Sequence, residues 1–269
     1  MLKSVGLRPV PFLPSLLQEA DLGCDVAFDR PGRPLLLQFK LGEALERFVR
    51  INKLKPRPPL AKQFWRFNVD TAEQNGQFDV LLKSELGGAE VYYVAPRFTG
   101  WDSYVSAFER EQVLGRSLIM KPSEIDNKLA IEFEPDGWHR IVYDEGQVFV
   151  CSKPTRLEEH PVELLGQTIR DKIERHPVDI AYVLKDVYSS LNRQRDIRVP
   201  SEEDAGHLVR RPAPAPDLAP SATQVAQNRL ARLNGFQARF ASEEIAVFAA
   251  LGVETWALGM QLIAVTLES

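Results

Sequence analysis

Apolar and polar positions change period several times along the chain, and each change predicts an element. Residues 35–40, Leu-Leu-Leu-Gln-Phe-Lys, read as a short apolar strand, along which side chains alternate in direction. The alternation puts Gln38 and Lys40 on one face and Leu35, Leu37 and Phe39 on the other. A Pro31-Gly32 turn precedes this run and a shorter apolar run, residues 25–29, precedes the turn. The pattern predicts a hairpin with Asp25 directly across from Gln38. Cys24 then alternates onto the opposite, core-facing side. Upstream, residues 1–11 read as an arm or edge strand. Residues 12–22 read as a short helix with Pro14 in its first turn and a Leu13, Leu16, Leu17 stripe. Glu19 falls near the end of that helix, just before the hairpin.

Residues 40–66 start as a short helix, break at Pro56, Pro58 and Pro59, and resume as a strand over 64–69. Phe78, Leu81, Leu82 and Leu86 have helical spacing within 71–86, and Gly87-Gly88 stops that helix. A strand follows over 91–95, a helix over 103–114 and a strand over 117–120. Residues 131–133 and 140–143 are strand-like. Residues 147–151 form a second hairpin across Asp144-Glu145-Gly146. Two amphipathic helices, 162–174 and 178–192, are divided by Pro177. Residues 225–233 and 243–251 read as helices, while periodicity leaves 255–267 open between helix and strand.

These elements predict an α/β (α+β) chain in four parts. Residues 1–155 form a mixed-sheet domain and 156–198 a helical region. Residues 199–223 form a Pro/Ala-rich linker, and 224–269 a C-terminal docking segment. The 269 residues allow one large domain or two small ones. A formal net charge of -4 excludes a global basic field, but not a local one. Eight cations against two anions crowd residues 40–66, with Phe48, Phe64, Trp65 and Phe67 interleaved. Arg47, Arg50, Lys53, Lys55 and Arg57 are candidates for contacts to phosphates, with the aromatics stacking on bases. A solvated helix face over core aromatics accounts for the same pattern. Two cysteines make neither a metal pattern nor a disulfide framework. No apolar run approaches a membrane span and the N-terminus has no secretory signal, so a cytoplasmic protein is expected. His139 reads as a hairpin surface histidine, Tyr92 and Tyr93 as core, and Trp101 as a rim aromatic. Phosphate-loop, dinucleotide-binding, nucleophile-elbow and zinc-protease motifs are absent from the sequence.

Asp25 followed by Gln38-Phe39-Lys40 resembles the PD-(D/E)XK nuclease superfamily. Gln stands in the acidic slot, as in the Gln-x-Lys variants of Mrr-like restriction endonucleases. Glu19 stands where those relatives carry a Glu on the preceding helix. The resemblance covers about residues 12–95. It implies a restriction-endonuclease-like sheet flanked by helices and a site built from Asp25, Gln38, Lys40 and Glu19. Asp25, Glu19 and Gln38 would ligate Mg²⁺ or Mn²⁺, and Lys40 would hold the attacking water or the scissile phosphate. A hard divalent cation held by carboxylates suits that chemistry. Gln74 and Gln77, at the start of the next helix, match loosely the helix Gln of some such nucleases; capping or exposure explains them equally. The implied function is DNA hydrolysis in bacterial restriction or phage defence. The alternative is an inactive nuclease-fold protein that binds a protein partner, through the C-terminal segment among others. A DNA-binding module using the basic stretch alone is a third reading.

Overall fold

The computed structural model describes residues 2–13, 28–49, 56–151, 153–199, 220–240 and 242–268. Among these residues the chain is a mixed α+β fold with two five-stranded sheets. Strand β2 (Gly32–Phe39) runs through the middle of the first sheet. One side of β2 pairs antiparallel with β10 (Met260–Leu267), and the other pairs parallel with β5 (Glu90–Pro96). Strand β1 (Leu7–Pro11) forms one edge against β10, and β6 (Ser117–Met120) forms the other against β5. The edge strand read from residues 1–11 is therefore present.

A parallel pair needs a crossover, and helix α1 (Gln77–Leu86) supplies it between β2 and β5. On the way the chain enters the second sheet through β3 (Glu43–Leu45) and β4 (Phe64–Asp70). That sheet is completed by β7 (Trp138–Tyr143), β8 (Val148–Cys151) and β9 (Pro154–Leu157), all antiparallel in the order β3-β4-β7-β8-β9. The second hairpin forms as its turn residues predict. Asp144 Oδ1 accepts from the amides of Gly146 and Gln147, both at 2.9 Å.

Both faces of β2 are covered, as continuous apolar character demands of a central strand. Leu36 faces the main core with α1, α5 (Ile180–Ser190), α7 (Glu243–Ala257) and the inner face of the second sheet. Leu35 and Leu37 face a second core closed by α4 (Val162–Arg175). Helix α2 (Trp101–Glu109) buries only Ala107. Helix α6 (Ala222–Gln237) lies on α7, tied by the buried Arg229, whose Nη2 meets Glu254 Oε1 at 2.8 Å.

Several expectations are corrected. The predicted hairpin does not form around Gln38, because its ladder neighbours are Met260 and Tyr93. At Gln38 both sides of β2 are taken, by β10 and by β5. Period-two alternation fixes a strand's faces but not its partners, which is why the nearest apolar run was the wrong choice. Glu19, Cys24 and Asp25 lie outside the described residues, as does most of the helix read over 12–22. Phe12, which is described, extends the β1 ladder instead, its amide donating to the Leu262 carbonyl at 2.8 Å. Residues 43–45 form a strand rather than a helix, because their backbone pairs with β4. Residues 131–133 close α3 (Pro122–Ile131) rather than forming a strand, with Phe133 at φ 54°.

The segment from 224 onward is not a docked appendage, since β10 is a central strand of the first sheet. Most of the linker, residues 200–219, lies outside the described residues. His139 is fully buried rather than on the surface. Its Nε2 lies 3.1 Å from the Pro135 carbonyl, and burial pushes the imidazole down to about 4. Among the described residues, no helix is long and apolar enough to cross a membrane.

Candidate functional site

Strand alternation keeps Gln38 and Lys40 on one face, as their spacing requires. They stand at the C-terminal ends of the parallel strands β2 and β5, where open α/β sheets usually offer their binding crevice. The Lys40 amide continues the ladder, donating to Val94 at 2.8 Å. Helix α1 runs back along the sheet, so its first residue, Gln77, returns to this end. Lys40 Nζ donates to Gln77 Oε1. Gln77 Nε2 in turn donates to the carbonyl of Leu258 at 2.7 Å. Gln77 is therefore neither a cap nor a surface residue but the bridge between Lys40 and the α7–β10 turn. Gly259, at φ +75°, allows that turn, and a Cβ there would stand 4.0 Å from Gln38 Nε2.

Burial dominates the electrostatics. Gln38 is 4% exposed. Its Nε2 donates to the Phe39 carbonyl at 2.9 Å, while its Oε1 is buried with no hydrogen-bond partner among the described residues. An unsatisfied buried acceptor costs about 1–3 kcal/mol. Lys40 lies 5.6 Å from the centre of the fully buried Tyr93 ring, and burial lowers its pKa. Burial also raises the Tyr93 phenol. The lysine sits beside the first turn of α1, the positive end of the helix dipole, so a nearby anion is favoured on both counts.

The described part of the site thus supplies one free amide oxygen, one ammonium and a helix N-terminus. Gln38 Oε1 fits a hard divalent cation or its bound water as an oxygen donor. Among the described residues, no three His, Cys, Asp or Glu side chains are grouped to hold a metal. The carboxylates the resemblance assigns to a metal, Asp25 and Glu19, lie outside those residues.

Of the expected phosphate-binding residues, Arg47 and Arg57 are exposed, and Arg50, Lys53 and Lys55 lie outside the described residues. The sequence offered no signal for Leu258 or Gly259, which reach Gln77 and Gln38 from about 180 to 220 residues away. Trp101 is 74% exposed and forms an outward ladder on α2 with Tyr104 and Phe108, at ring separations of 5.5 and 6.0 Å. The chain matches no family model, no curated protein and no solved structure.

Proposed function

We propose that the chain is a cytoplasmic, metal-dependent endonuclease acting on DNA, of the kind that serves bacterial restriction or phage defence. The observation that carries the reading is the unpartnered, buried Gln38 Oε1 beside a partly desolvated Lys40 on one sheet face. Mg²⁺ or Mn²⁺ would be held by Asp25, Glu19 and Gln38. The metal supplies charge neutralisation at the phosphate and acidifies a bound water. Gln77 fixes the Lys40 amine, so its position is set before substrate arrives. Lys40 then holds the scissile phosphate or the attacking water. Burial lowers its pKa, so its proton is easier to give up than that of a solvated lysine.

Purified protein with Mg²⁺ or Mn²⁺ is expected to nick supercoiled DNA. Asp25→Ala and Lys40→Ala are each expected to lower the rate by about 10²-fold or more, the usual cost of removing a transition-state stabiliser. Equal cutting by those variants would assign the activity to a contaminant and end the reading.

A second reading, a nuclease-fold protein without catalysis that binds a protein partner, is favoured by the α2 ladder. Three adjacent exposed aromatics on one helix are unusual unless something covers them. Calorimetry separates the two: no Mg²⁺ or Mn²⁺ binding, with DNA present, selects the second.

A further inference from the structure

The outer face of the second sheet carries charge that neither the fold nor the candidate site uses. Alternation sends Trp65, Phe67, Ile141, Tyr143, Val148 and Val150 inward to the main core. It sends Arg66, Arg140 and Arg156 outward from β4, β7 and β9. Register places Arg66 opposite Val142, Val142 opposite Phe149 and Phe149 opposite Arg156. Arg66 and Arg156 therefore share one row across four strands, roughly 14 Å apart at the usual strand spacing. Arg140 stands in the neighbouring row, opposite Asn68.

Their partners leave charge over. Arg66 pairs with Glu43, whose side chain is 59% exposed. Arg140 Nη1 donates to the Val49 carbonyl at 3.1 Å. Among the described residues, Arg140 and Arg156 form no ion pair with a carboxylate. Burial and the neighbouring Arg66 both lower the Arg140 pKa, while Cys151 and Glu43 oppose the shift.

Phe48 and Leu60, between β3 and β4, lie on the same face. They pack over Phe64, Val142, Phe149 and Cys151, and the exposed Arg47, Arg57 and Lys62 stand within three residues of them in the chain. Six cations stand on or beside this face, against Glu43 and Glu46 and, in the groove that Arg156 lines, Glu158 and Glu159, of which Glu159 is taken by Arg97 at 2.6 Å. Phe64, Val142, Phe149 and Cys151 are buried on this face, while Trp138, 38% exposed, and Val49 are apolar groups open to solvent on it. Spaced, half-exposed guanidinium forks match phosphates.

We propose that a DNA backbone runs along this outer face, gripped by Arg66, Arg140, Arg156 and Lys62 together with Arg47 and Arg57. The inference rests on the nuclease reading only for its choice of polymer. It also places the grip on the second sheet, away from the Gln38 and Lys40 end of the first.

The test is fluorescence anisotropy of a labelled random-sequence duplex, in EDTA so that cutting plays no part, over a range of salt. The double variant Lys62→Gln/Arg156→Gln changes two exposed side chains and is expected to fold, checked by circular dichroism. Each lost phosphate contact lowers the log–log salt slope by about 0.9, so the double variant's slope should be shallower by about 1.8. Its affinity at low salt should fall at least about tenfold. Absence of wild-type binding at low salt, or an unchanged slope in the variant, overturns the proposal. Salt-dependent binding without any cutting in Mg²⁺ would sink the nuclease reading and leave this one standing. Cutting with an unaltered slope would do the reverse.

Discussion

Single residues show most directly what burial does to chemistry here. His139 was expected at the surface, yet it lies against Pro135 with Asp136, Asp70 and Arg198 around it. Its folded pKa is about 4, against 6.5 for the unfolded chain. The folded state therefore resists protonation, and its stability is complete above about pH 6.5. Stability is then lost as pH falls toward 4, because the unfolded chain binds the proton first. At pH 5 the loss from this residue alone is about 2 kcal/mol. Urea unfolding at pH 7 and pH 5 should show that difference in the wild type and lack it in His139→Gln. An identical drop in both would mean that other groups carry it. Gln38 and Lys40 were legible at this scale, since alternation alone puts them on one face. Their neighbour Gln77 was visible only as a loose match, because a sequence does not say which end of a sheet a crossover helix returns to. The Leu258 carbonyl that holds Gln77 had no signal at all.

Elements were read well where the period was long and the stop signals were clear, as for α4, α5, the β7–β8 hairpin and the end of α1, which starts at Gln77 and not at Thr71. They failed where pairing, not propensity, decides. β3 is three residues long and exists through its ladder to β4. β9 likewise exists through its ladder to β8. Helix α3 announces itself only by Pro122 at its first turn. The joint between the two sheets sits at Gly42, just beyond Lys40. A Cβ there would run into the Tyr143 hydroxyl and stand 3.3 Å from Trp65 Cβ and 3.4 Å from the Pro96 carbonyl. That hydroxyl donates to Pro96 at 2.9 Å, so it cannot move without breaking the bond that links the sheets. Gly42→Ala should destabilise by about 1–3 kcal/mol, the usual cost of overpacking, in chemical denaturation. A neutral result would show that the joint gives way easily.

At the scale of the whole molecule, the α+β class and the flanking helices follow from the order of patterned segments. The connectivity does not, because an apolar run such as 260–267 looks the same at an edge or in the centre. Its place between β1 and β2 makes residues 258–268 indispensable to the first sheet. A chain cut after Ala257 would leave β1 without its partner and expose one side of β2 along its length. It should be recovered insoluble or without a cooperative thermal transition, whereas an appendage could be removed with little effect. Soluble yield and a melting curve decide the matter. There is a temporal side to the same arrangement. During translation β2 leaves the ribosome more than two hundred residues ahead of β10, so its open flank waits for most of the protein to be made. Chaperone dependence at the nascent stage, rather than fragility once complete, is where this topology makes its demand.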